Sequence, residues 1–280
     1  EEALAAARQS EQRLRNCEAG PLEGIPVTIK DAFDVAGQET STGSYAIKGQ
    51  VAATDNVVVE RLRKAGAVII GKTTMSEFAW SGMSRNPVTG ITHNPWRYGL
   101  NAGASSAGAG AAAAAGFGPL HLGSDGAGSI RMPSHFCGIF GLKPTYGRVP
   151  CVPVTNNDYG THPGPMTRTV ADAALMLETM AGPHFLDHTS CEARPDAYLA
   201  KLKGSMKGKR VAFSLDLGHA RVDNEIADIV RNAARTFAGT LQADVEEVIP
   251  DWGALGPELG RFFWSVYCGR HARLLADWKG

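Results

Sequence analysis

Apolar residues along this chain change period several times, and each change marks an element. Residues 1–18 mix charged and alanine positions in the manner of an outer helix. A turn holding Gly24 and Pro26 leads into Val27, Thr28 and Ile29, a β-branched run that predicts a strand ending in Lys30. DNVVVERLRKA (55–65) predicts a helix begun by an Asp or Asn cap and stopped at Gly66, and AVIIG (67–71) predicts a buried strand. Residues 72–100 read as loop and short helix, with Asn86-Pro87, Asn94-Pro95 and Gly99 as breakers. Met75, Phe78, Trp80 and Met83 in that stretch suit either a pocket wall or plain core packing.

From Asn101 to Arg131 the contrast between polar and apolar nearly disappears. A Gly/Ala loop holds Ser105 and Ser106, an Ala-rich run reaches Gly116, and PLHLG predicts a short apolar strand. Ser124, Asp125, Gly126, Ala127 and Gly128 then form a second small-residue loop entering Ser129. Ile139 to Leu142 predicts a buried strand, Lys143 to Arg148 a turn, and residues 169–181 an amphipathic helix capped by Thr169. Residues 182–209 are rich in loop signals. A strand at VAFSL, a helix over 223–238, a strand over 244–249 and a helix over 256–275 follow. This alternation argues for α/β layers. No repeat and no clear second domain stands out, so residues 1–280 are expected to form one domain.

Composition narrows the class. The 280 residues carry 28 basic and 28 acidic side chains, so no bulk charge draws nucleic acid or an anionic membrane. The basic run Lys201, Lys203, Lys207, Lys209 and Arg210 reads as a solvated edge. Five cysteines, odd in number and without CxxC spacing, argue against a disulfide framework and fit a reducing, cytoplasmic setting. No apolar run of about 18 residues suits a membrane span. The chain opens on Glu-Glu-Ala-Leu without Met or a basic-then-apolar leader, and it ends within the helical pattern Leu274-Leu275-Ala276-Asp277-Trp278. It is expected to be part of a longer protein.

Candidate chemistry sits in the two serine loops. Backbones almost bare of side chains let a ligand lie against the main chain, and successive N–H groups before Ser129 would make a cradle for an anion. Two readings stand: tight helix packing with capping serines, or a nucleophile beside an oxyanion hole. Lys30 favours the second, because a lysine at the inner end of a buried strand is desolvated and becomes a base. Other motifs carry less. Gly66 to Thr73 matches GxxxxGK[ST] by letter, yet its Ala-Val-Ile-Ile filling prefers extended strand to a phosphate loop. His184, His188 and Cys191 have metal-like spacing but no second cluster, and no metal is expected. Neither Ser105 nor Ser106 completes GxSxG. Of the histidines, His121 and His135 flank the Ser129 loop and are the ones to check as bases.

With these residues the chain resembles the amidase signature hydrolases. Lys30 in GIPVTIKD looks like the family's lysine, Ser105 in GASSAG like its bridging serine on a cis peptide, and Ser129 in SDGAGSIR like its nucleophile. GKTTMSEF (71–78), FCGIFGLKPTYGRVP (136–150) and GPMTRTVADAALML (164–177) extend the likeness over most of residues 20–180. Ala104, Ala107 and Ala127 stand where the family usually carries glycine, and Gly126 where it often carries threonine, which bears on substrate size rather than reaction class.

The resemblance implies a mixed β-sheet covered by helices on both faces, with an N-terminal helix over 1–20, a signature core over 21–180 and a peripheral α/β portion over 181–280. It implies amide hydrolysis through an acyl-enzyme, with Ser129 attacking and Ser105 and Lys30 relaying the proton. Gly126, Ala127, Gly128 and Ser129 would hold the oxyanion, and Ser106, Asp125 and Arg131 would support the site. No cofactor and no metal are implied. The expected partner is a small-molecule amide, with neither nucleic acid nor membrane; a homodimer is one assembly open to the chain, and the sequence does not fix the oligomeric state. The alternative is the amidase subunit of a tRNA-dependent amidotransferase. In one carboxylate-specific relative the position after Ser-Ile-Arg carries an arginine; here it is Met132, which argues against a small dicarboxylic acid amide.

Overall fold

In the computed structural model, residues 1–154, 160–192, 197–269 and 271 are described. Local signals in the sequence place the first elements. Helix α1 (Glu2–Arg15) precedes strand β1 (Pro26–Lys30), whose last four residues are all buried. Asn56 accepts the Val58 N–H and so opens α2 (Val57–Lys64), and β2 (Val68–Thr73) follows. The last six of the GxxxxGKT letters therefore lie in an extended strand, paired in parallel with β1 from Pro26–Val68 to Lys30–Thr73.

Residues 72–100 hold more structure than their breakers suggest. Two antiparallel pairs occur there, β3 (Arg85–Asn86) with β4 (Gly90–Ile91) and β5 (His93–Asn94) with β6 (Arg97–Asn101). Asn86 organises the first: its Oδ1 accepts the N–H groups of Val88 and Thr89, and its Nδ2 donates to the Met75 carbonyl. Met75 and Phe78 are buried, whereas Trp80 and Met83 are exposed.

The serine loops bracket α3 (Ala107–Ala114) and β7 (Leu120–Asp125), and α4 (Arg131–Cys137) follows the second loop. Strands β8 (Phe140–Gly141) and β9 (His162–Thr167) and helix α5 (Val170–Met180), capped by Thr169, complete this region. Strand β8 is shorter than the expected Ile139–Leu142 and only half-buried. The sheet runs β2-β1-β7-β9-β8, parallel from β2 to β7 and antiparallel beyond it. On one face Val27, Ile29, Leu120 and Leu122 pack with Val58 and Leu62 of α2 and Met176 and Met180 of α5. A second cluster joins Ala109 of α3 to Ile130 and Met166. Helices thus cover a mixed sheet, and Leu, Val, Ile and Met at these depths each contribute about 1.5–3 kcal/mol. The alanines and glycines of α3 are spacers: a Cβ on Gly108 would stand 2.4 Å from the Thr74 nitrogen, so only hydrogen fits there.

The described residues divide into two compact units, one running through residue 200 and one from residue 201 to the last described residue. Helix α6 (Tyr198–Lys201) lies at their junction in sequence. In the second unit β10 (Arg210–Phe213) pairs in parallel with β11 (Asp244–Glu247). Helix α7 (Asn224–Ala238), capped by Asp223, and helix α8 (Gly256–Gly269) accompany them. The final turns of the helix expected over 256–275, and the ending at Leu274–Trp278, lie outside the described residues. All five cysteines are free, and no described helix is long and apolar enough to cross a membrane.

Candidate functional site

Strand β1 carries Lys30 into the interior at its C-terminal end, where the side chain has no exposed surface. Desolvation pushes its amine down to about 7, partly offset by the charge of Asp125. The amine lies within hydrogen-bonding distance of three oxygens, Ser105 Oγ at 2.7 Å, Ser124 Oγ at 3.0 Å and the Ser124 carbonyl at 3.4 Å. A buried amine so held is neutral over much of the physiological range and can take a proton from the serine it touches.

Ser105 follows a cis Ala104–Ser105 peptide, and its carbonyl accepts the Ser76 N–H at 3.3 Å. Ser106 ties the two serine loops together. Its hydroxyl donates to the Ser124 carbonyl at 3.1 Å and accepts the Ser124 N–H at 3.3 Å, while its own N–H donates to the Ser129 carbonyl at 3.2 Å. Ser129 is therefore anchored beside Ser105 and Ser106 through its backbone. Its side chain is half-buried, and among the described residues its hydroxyl makes no hydrogen bond, with Ser105 or any other group.

The loop before Ser129 is built on Asp125. This fully buried carboxylate accepts the N–H groups of Gly128 (2.7 Å), Ile130 (3.1 Å) and Arg131 (3.2 Å), and the Arg131 guanidinium grips it through Nε and Nη2, both at 2.9 Å. Burial works against the charge, but Arg131 and the N–H groups outweigh it and hold the carboxyl at about 2. The chain turns through Gly128 at φ +116°, and residue 127 needs no positive φ, so alanine sits there unstrained. One of the four expected oxyanion donors is already taken: the Gly128 N–H points at Asp125. The N–H groups of Gly126, Ala127 and Ser129 have no partner among the described residues, and Gly126 and Ala127 are exposed. Met132 lies against this loop, its Cε 3.5 Å from where a Cβ on Gly128 or Gly82 would stand.

Neither flanking histidine joins the site. His121 is buried with Nδ1 on Thr28 Oγ1 at 2.8 Å and Nε2 on the Gly118 carbonyl at 3.1 Å, and burial pushes it down to about 4. His135 is exposed on α4 and packs against the Phe136 ring. His184, His188 and Cys191 form no metal-ligating group among the described residues. One contributor escapes a reading by residue type: Ser124, which the sequence presents only as loop filling, reaches Lys30 with both its hydroxyl and its carbonyl. Its position immediately before Asp125 is the available signal.

Residues 1–253 match the family model Amidase. The chain belongs to the amidase signature family. It is 44% identical over 275 residues to an acylamidase of Rhodococcus erythropolis, covering 98% of this chain and 57% of that protein. It is 42% identical over 252 residues to a glutamyl-tRNA(Gln) amidotransferase subunit of Chromohalobacter salexigens, covering 89% of this chain and 51% of that one. Among solved structures, a bacterial aryl acylamidase of the amidase signature family superposes with a TM-score of 0.91 at 30% identity, covering 98% of this chain and 58% of that one. The peptide amidase of Stenotrophomonas maltophilia gives 0.80 at 32% identity, covering 91% and 54%. The chain spans about half the length of the curated relatives it matches.

Proposed function

We propose that this chain carries the reacting groups of a serine amidohydrolase acting on small or aryl amides. The observation that carries the reading is the buried, neutral-leaning amine of Lys30 at 2.7 Å from Ser105 Oγ. In the proposed acylation, Ser129 Oγ attacks the amide carbonyl carbon and its proton passes to Ser105 Oγ as the Ser105 proton passes to Lys30 Nζ. The carbonyl π pair moves onto oxygen, where the free N–H groups of Gly126, Ala127 and Ser129 receive it; one such donor is worth about 10²–10³ in rate. The relay then returns the proton to the leaving nitrogen, and water, activated the same way, frees the acid. Asp125 and Arg131 hold the loop, and Ser106 ties it to the bridging serine.

The match to the Rhodococcus acylamidase over 98% of this chain, and the apolar Met132 beside the loop, support a simple amide as substrate. The second reading, the amidase component of an amidotransferase handing on ammonia, draws on the 42% identity to the Chromohalobacter protein. Serine-directed phosphonate labelling of the full-length protein, with the adduct located by mass spectrometry, tests the roles. The adduct belongs on Ser129, and Ser129→Ala removes both label and turnover; an adduct on another serine overturns the assignment. Glutaminase activity that appears only with a second protein would move the reading to the amidotransferase component.

A further inference from the structure

A neutral amine has one lone pair and two N–H bonds. If the Lys30 lone pair is to receive the Ser105 proton, both N–H bonds need acceptors elsewhere, and those acceptors decide where the lone pair points. Among the described residues the Lys30 amine touches two side-chain atoms and one carbonyl: Ser105 Oγ at 2.7 Å, Ser124 Oγ at 3.0 Å and Ser124 O at 3.4 Å. Ser124 therefore supplies both acceptors that do not belong to the relay. It is held to do so. The residue is buried at the end of β7, and Ser106 fixes its backbone from both sides, donating to its carbonyl and accepting its N–H.

We propose that Ser124 is the positioning residue of the lysine base, its hydroxyl and carbonyl taking the two Lys30 N–H bonds so that the lone pair faces Ser105. The inference rests on the hydrolase reading above and adds a fourth side chain to it. Among the described residues Ser124 hydrogen-bonds Lys30 and Ser106 and not Ser129, so it acts through Lys30. During acylation the amine becomes an ammonium: its lone pair becomes a third N–H bond, to the proton leaving Ser105. Charge develops where Ser124 Oγ already accepts, so the hydroxyl stabilises the protonated form more than the neutral one.

Removing the hydroxyl therefore has two linked effects. The amine becomes a weaker base, and it gains freedom to turn its lone pair away. A hydrogen bond to a charged group is worth about 10–100-fold in an equilibrium or a rate. The deprotonated fraction also persists to lower pH, so the acid limb of the activity profile moves down by about one pH unit.

The test is the pH dependence of kcat/KM for an anilide substrate, measured on the full-length protein with Ser124→Ala and Ser124→Thr. The alanine variant is expected to lose about 10–100-fold at the plateau with its acid limb displaced to lower pH, and threonine, which keeps a hydroxyl, to restore both. If the alanine variant does not fold by circular dichroism, Ser124→Cys substitutes a weak acceptor at similar volume and should show the same displacement. An alanine or cysteine variant with the wild-type rate and acid limb overturns the proposal. So does a rate loss with an unmoved acid limb, which marks a merely structural residue. Ser129→Ala run in parallel separates the failures: if it retains turnover, the hydrolase reading falls, and if it is inactive while Ser124→Ala is unaffected, only the role of Ser124 falls.

Discussion

Replacing Lys30 by methionine should remove activity and yet stabilise the fold at neutral pH. The amine falls from the ordinary lysine value of 10.5 to about 7 because it is fully buried. The folded-state value is the lower one, so between those limits the unfolded chain binds the extra proton, and stability rises with pH across the window. Below 7 both states are protonated and the penalty is constant; above 10.5 it vanishes. Integration gives a penalty of about 4 kcal/mol at pH 7 and about 1 kcal/mol at pH 10. Against this stand the three hydrogen bonds between the amine and Ser105 and Ser124, each about 1 kcal/mol net. Methionine fills a similar volume, so the cavity cost is small. The variant should thus be more stable than wild type by about 1 kcal/mol at pH 7 and less stable by about 2 kcal/mol at pH 10. Urea denaturation of both full-length proteins at the two pH values measures this. Other alkaline titrations cancel in the difference between the proteins. A difference that is the same at both pH values would refute a depressed Lys30 amine.

Three further outcomes follow from the same geometry. Hydrolysis by the wild type should lose rate as pH drops through about 7, where the Lys30 amine takes up its proton, and a stopped-flow or plate assay of kcat/KM across that range checks it. Asp125→Asn strips a charge from three N–H donors and a bidentate arginine, so thermal denaturation should report a loss of about 2–4 kcal/mol. Because Asp125 is held near 2, its wild-type contribution is full above about pH 4 and fades only as pH approaches 2, a slope the variant should lack. Gly128→Ala forces a side chain onto φ +116°, which should cost about 1 kcal/mol or more in stability and lower the labelling rate of Ser129.

Local chemistry was legible in the sequence, and long-range arrangement was not. Asn56, Thr169 and Asp223 each cap the helix they precede, because a short polar side chain before an amphipathic run has one good use. The β-branched run before Lys30 likewise announced a buried strand with a desolvated lysine at its end. Strand β9 could not be read: HPGPMT carries two prolines and a glycine, and its pairing with β7 comes from position in the sheet rather than propensity. The hairpins β3–β4 and β5–β6 escaped because β3, β4 and β5 have two residues each and no period to detect, and β6 is exposed along its whole length; Asn86 side-chain bonds hold the first. At the site, residue types named the lysine and the serines, but direction decides function there. Which way the Gly128 N–H points, and that Ser124 turns its hydroxyl to Lys30, follow from how Asp125 and Ser106 fold the loop.

The central claim is that the Lys30 amine stands uncharged next to Ser105 at working pH. Carbon-13 labelling of lysine Cε, with the Lys30 resonance assigned by its absence in Lys30→Met, follows that amine directly through a pH titration. A midpoint near 7 is the expected result. A midpoint near the ordinary lysine value of about 10.4 would contradict the account, because a charged amine cannot accept the serine proton.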